Sequence, residues 1–185
     1  MSPADKNVLE PKPRRDERAF LGEEWLTWLW YRVERGDAEF DLGSGRRAGV
    51  ALDAPLVLRA AREDDEGKRP EQALRFGRPL GSPEAAAALA RGKRLARARL
   101  IVADGGREWE ATFDAETFSL RSARVPTSEE EDLDARGEEH LAAFHELATA
   151  LDGIYREFLV ERLAPSFRKE TLPKWREWTR EKTRA

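Results

Sequence analysis

LARARLIVADGGREWEATFDAETFSLRSA, residues 95–123, decides the fold. Leu95 to Ala103, Arg107 to Phe113 and Phe118 to Ala123 are three consecutive strand-like runs, joined by Asp104-Gly105-Gly106 and by Asp114-Ala-Glu-Thr. Connections this short return each strand beside the one before it, so the segment reads as an antiparallel meander. Just upstream, Ser82-Pro83-Glu84 supplies an N-cap, a proline at the first helical position and an early acid. These predict a short Ala-rich helix over Pro83 to Ala90, ended by Gly92.

Farther upstream, Glu39 to Leu42, Val50 to Leu52, Leu56 to Ala60 and Ala73 to Phe76 are short apolar pieces that read as strands. Gly43-Ser44-Gly45, Pro55 and the charged stretch Arg62 to Pro70 separate them. FLGEEWLTWLWYRVE, residues 20–34, has the length and composition of a helix, with apolar residues around most of its circumference. One reading makes it a central core helix. The sharper one leaves Trp30 and Tyr31 outside the core, facing a second subunit or a ligand. With six tryptophans in 185 residues, Trp30 and Tyr31 are expected in a homodimer contact of the buried aromatic type.

Downstream, Pro126 closes the meander, Thr127 or Ser128 can cap the next element, and Glu129 to Glu131 suit a helix N-terminus. The long helix proper is expected from about Glu138 to Leu163, broken by Pro165. Pro173 can open a last helix that exposes Trp175 and Trp178. The expected architecture is therefore α+β: an antiparallel meander sheet packed against an N-terminal aromatic helix and a long C-terminal helix. Residues 1–17, with Pro3, Pro11 and Pro13 among charges, read as a disordered arm. Residues 18–163 read as one domain and 164–185 as a basic helical tail.

Composition narrows function. Charged residues make up 37% of the chain and cysteine is absent, which removes disulfides, thiolate metal sites and Cys nucleophiles. No apolar run approaches the roughly 20 residues of a membrane helix, and the first residues lack a secretory core. The expectation is a cytoplasmic protein without a membrane span. The net charge of −3 conceals segregation: +3 over 1–103, −11 over 104–161 and +5 over 162–185. A basic surface able to meet polyanions is compatible with that balance.

Catalysis finds little support. His140 and His145 stand five apart on the expected long helix, about 140° from one another, and do not converge like a zinc pair. The acids from Glu129 to Asp134 read as a solvated face; a metal-dependent hydrolase built on them is the minority alternative. Asp104-Gly-Gly lacks the Lys-Ser or Lys-Thr of a phosphate loop. No enzyme, metal site, cofactor or small-molecule substrate is expected. The basic constellation says more. Arg91, Lys93, Arg94, Arg97 and Arg99 put five positive charges in nine residues, with Arg75 and Arg78 upstream. Guanidinium groups hold phosphate bidentately without reading sequence. The competing reading is a solvated strand face whose Arg stems cover apolar neighbours.

A family resemblance attaches to these residues. The order Leu26-Thr27-Trp28-Leu29, Ala73-Leu-Arg-Phe with Arg78 and Leu80, the helix 83–90, Gly92-Lys93, the strand 95–103 with Asp104-Gly105-Gly106, Phe118-Ser-Leu-Arg and the helix from 138 resembles the C-terminal half of the recombination-associated protein RdgC family. The resemblance covers roughly residues 21–160. It implies a non-catalytic, sequence-independent double-stranded DNA-binding protein of the nucleoid, acting in recombination as a ring-shaped dimer that restrains the RecA recombinase. By position, Arg75, Arg78, Lys93 and Arg97 would line the hole. The chain departs from the family in lacking its N-terminal half and in adding a basic, Trp-containing tail. The rival expectation is a structural or assembly protein that forms a homodimer, or pairs with another chain, without binding DNA.

Overall fold

The computed structural model describes residues 15–43, 45–60, 68, 70–75, 82–126 and 130–181, with side chains from Leu21 onward. The chain folds as an α+β protein in which six antiparallel strands carry their helices on one face. Helix α1 spans Arg15–Glu34, strand β1 Glu39–Gly43, β2 Arg46–Arg59 and β3 Glu71–Leu74. Helix α2 (Pro83–Ala90) is followed by β4 (Arg94–Asp104), β5 (Arg107–Asp114) and β6 (Ser119–Arg124), then by α3 (Leu133–Leu163) and α4 (Leu172–Glu181). The main path of the sheet is β1-β2-β4-β5-β6, and β3 pairs with β2 beside it. The meander is therefore present, with Arg97 opposite Asp114 and Arg99 opposite Thr112.

Boundaries moved where side-chain chemistry outweighed pattern. Arg15 to Glu17, expected in the arm, already belong to α1. The expected strands Val50–Leu52 and Leu56–Ala60 are one strand of 14 residues. Pro55 interrupts nothing because the β2–β4 register shifts between Asp53 and Val57, where a missing N–H costs no ladder bond. Helix α3 begins at Leu133, capped by Asp132, whose Oδ1 accepts the N–H groups of Asp134 (3.0 Å) and Ala135 (2.9 Å). Thr127, Ser128, Phe76, Arg78 and the arm before Arg15 lie outside the described residues.

Helix α1 is the centre of the molecule. On its sheet side Trp25 meets Phe113 edge-on at 4.7 Å, and on the α3 side Tyr155 at 5.6 Å. Trp28 lies between Phe40 and Phe158 and donates its indole N–H to Glu161 (2.9 Å). Gly22 lets α1 approach the β5–β6 turn: a Cβ there would collide with the carbonyl oxygen of Ala115.

The tail corrects the expectation for Trp30 and Tyr31. Both are buried, at 0% and 7% exposure, and the cover is the chain's own α4. Trp178 packs edge-on against Trp30 (5.7 Å) and Tyr31 (5.5 Å), and Trp175 stacks on Tyr31 at 6.5 Å. The Glu34 carboxylate accepts both indole N–H groups, from Trp30 at 2.8 Å and from Trp178 at 2.9 Å. Trp178, expected on the surface, belongs to the core, and the aromatic surplus of α1 is absorbed within the chain rather than by a second subunit.

Candidate nucleic-acid interface

The seven basic residues singled out in the sequence divide into three groups. Arg97 and Arg99 project from β4 onto the sheet face away from α1, because Ala96, Ala98, Leu100 and Val102 alternate with them into the core. There they are committed to carboxylates. Arg97 holds Asp114 through Nη2 (2.9 Å) and Nε (3.2 Å). Arg99 holds Glu110 at 2.6 Å, with Asp53 at 3.9 Å. From β6, Arg121 and Arg124 approach the same Asp114 and Glu110, each at 3.7 Å. Four arginines facing three carboxylates tie neighbouring strands together as cross-strand pairs. Burial pushes the Asp114 carboxyl up, but the Arg97 guanidinium and the amides of Thr117 and Glu116 hold it below its ordinary range.

The second group sits where the chain leaves α2. Gly92 takes φ +77°, its N–H donates to the Leu89 carbonyl (2.8 Å), and the Lys93 N–H donates to that of Ala88 (3.0 Å). These two bonds make a Schellman turn, in which only a residue without Cβ is unstrained. The turn presents Arg91, Lys93 and Arg94 together at one end of the sheet. Lys93 Nζ reaches Gln72 at 3.4 Å, and Arg91 is exposed without an ion-pair partner among the described residues. In the third group, Arg75 is exposed three residues beyond Gln72, just past the end of β3, and Arg78 lies outside the described residues.

A further cation joins the second group from the C-terminal end of the chain, out of reach of any pattern in β4. Helix α4 docks beside α2 and brings Arg176 to Lys93 and Arg94. The three cations line a cleft of about 330 Å³ whose walls include Trp175, Leu89 and Glu24. Glu24 is buried; its Oε1 accepts from Arg162 Nε at 2.7 Å, while its Oε2 is buried without a hydrogen-bond partner among the described residues. Lys174 and Arg176 are both exposed and have no ion-pair partner among the described residues; of the two, Arg176 lines the cleft. The excess of basic residues after Arg162 is the sequence signal for this contribution.

Among the described residues no group of three or more His, Cys, Asp or Glu could hold a metal ion, and no helix is long and apolar enough to cross a membrane. Comparison of the chain with protein-family models, with curated proteins and with solved structures finds no match. The resemblance to the RdgC family thus rests on the order of residues quoted for it.

Proposed function

We propose that this is a non-catalytic protein that binds duplex DNA through its phosphate backbone, without sequence preference, at the end of the sheet where α2, β4 and α4 meet. One observation carries the reading. Basic residues from two parts of the chain far apart in sequence, Lys93 and Arg94 after α2 and Arg176 on α4, line one cleft. Lysine and arginine presented this way neutralise phosphates and release counterions, which binds any duplex and weakens with salt. Arg97 and Arg99 are assigned a structural part, because their guanidinium groups already hold Asp114 and Glu110. The DNA site therefore shifts from the strand to the helix end. A place in the nucleoid and in recombination follows from the RdgC-like reading and belongs to the same proposal.

The pairing of Arg97 and Arg99 also favours the second reading, an assembly protein that does not touch DNA. A mobility-shift titration of the full chain with two unrelated duplexes at two salt concentrations separates them. Equal binding to both, weakening steeply with salt, supports the DNA reading. No binding at low salt leaves the assembly reading.

A further inference from the structure

Helix α3 carries an apolar ridge that the fold covers only in part. At 3.6 residues per turn, Leu133, Leu141, Phe144, Ala148, Leu151 and Tyr155 fall within an arc of about 80°. The C-terminal half is used: Leu151 is buried, and Tyr155 meets Trp25 and Phe118 edge-on at 5.6 and 5.5 Å. The N-terminal half is open, with Leu141 71% and Phe144 41% exposed. Beside the covered half lies a largely apolar groove of about 190 Å³ between α3 and β6, lined by Trp25, Phe113, Phe118, Leu120 and Tyr155, with Asp152 also on its wall. One helix therefore bears protruding apolar side chains and, about two turns farther along, a hollow able to take them.

We propose that a second copy of this chain covers this face. The two α3 helices pack antiparallel about a twofold axis near residues 147 and 148, and each seats Leu141 and Phe144 in the groove of the other. A knob and a hole on the same patch are what an isologous contact requires, and the small side chain of Ala148 at the axis lets the helices approach. Shape selects the direction, because a parallel pairing would set the protruding Leu141 and Phe144 of one copy against those of the other and leave both grooves empty. With the antiparallel axis Glu138 of one copy also stands opposite Arg156 of the other, twice, since the two positions are five helical turns apart and share one flank. Arg156 is 76% exposed and, among the described residues, pairs with Asp152 (2.7 Å). Addition of a foreign strand to the neighbouring sheet edge is disfavoured. Ser122 of β6 takes φ +51° where the β5–β6 register shifts, and such a bulge spoils an edge as a template. The contact uses a face of the molecule remote in sequence from the basic cleft and does not depend on the DNA reading.

Sedimentation velocity of the full chain from about 1 to 300 μM, a range spanning ordinary dimer affinities, tests the proposal. The wild type is expected to pass from monomer to dimer. Phe144→Glu, at an exposed position, is expected to weaken association at least about tenfold with an unchanged circular dichroism melt. Glu138→Arg should weaken it too, by facing Arg156 of the other copy, and Glu138→Arg combined with Arg156→Glu should restore it. A wild type that stays monomeric overturns the proposal, whether or not this face captures another protein. So does a dimer that Phe144→Glu leaves intact, or a charge reversal that fails to rescue.

Discussion

Replacing Trp178 by Ala removes the side chain that fastens α4 to the centre of the molecule. The indole is 5% exposed, packs against Trp30 and Tyr31, and donates to Glu34. Truncating a buried tryptophan costs about 3–5 kcal/mol. The loss is bounded here by the free energy of docking a ten-residue helix, because beyond that bound α4 detaches while the sheet, α1 and α3 remain. At roughly 2–4 °C per kcal/mol for a chain of this size, the lower figure corresponds to a fall in Tm of about 6–12 °C if melting is cooperative. Should α4 detach first, hydrogen exchange shows protection lost at 172–181 before the sheet opens. Either outcome uncovers Trp30, so tryptophan emission shifts to the red. No cation is removed by the substitution, yet Arg176 loses its fixed place beside Lys93, and duplex affinity should fall. A variant with wild-type melting, exchange and emission would refute the assignment of α4 to the core.

Two further substitutions probe the packing and the charged sheet face. Gly22→Ala forces a methyl group against the Ala115 carbonyl and should cost about 1–3 kcal/mol in urea unfolding; an unchanged midpoint would contradict the close approach. Asp114→Asn should cost about 2 kcal/mol at neutral pH by weakening a charge-assisted bond to Arg97. The Asp114 pKa is depressed in the folded chain, so its contribution is fully present above the unfolded value near 4 and is lost as pH falls through the folded one. The variant should therefore show a shallower loss of stability below about pH 4; parallel pH profiles would remove Asp114 from that role.

What the sequence discloses depends on how local the determining chemistry is. Helix α2 is legible from Ser82 to Gly92 because its cap, its N-terminal proline and its left-handed exit are made by neighbouring residues. The meander is legible because Asp104-Gly105-Gly106 returns the chain within a few residues, both glycines with positive φ. The unity of β2 is hidden, since Pro55 reads as a breaker until the partner strand is known to shift register there. The start of α3 is hidden for a different reason. Its first two turns are solvated, so Asp134 to Glu139 show no apolar periodicity, and only the Asp132 cap marks the boundary. For the site, Lys93 and Arg94 stand out by charge density, but neither the carboxylates that engage Arg97 and Arg99 nor the arrival of Arg176 follows without the register of β5 and the docking of α4. The fate of Trp30 and Tyr31 turns on that same docking.

The central claim is that the convergent cations, not the strand arginines, hold DNA. Duplex affinity measured across a salt series for the wild type, for Lys93→Ala with Arg176→Ala, and for Arg97→Ala with Arg99→Ala tests it most directly. The prediction is that the first pair lowers affinity for every duplex alike and flattens the log-log salt slope by roughly 1.8, about 0.9 per lost phosphate contact, while the second pair leaves the slope unchanged. An unchanged slope for Lys93→Ala with Arg176→Ala, or a flattened one for Arg97→Ala with Arg99→Ala, would contradict it.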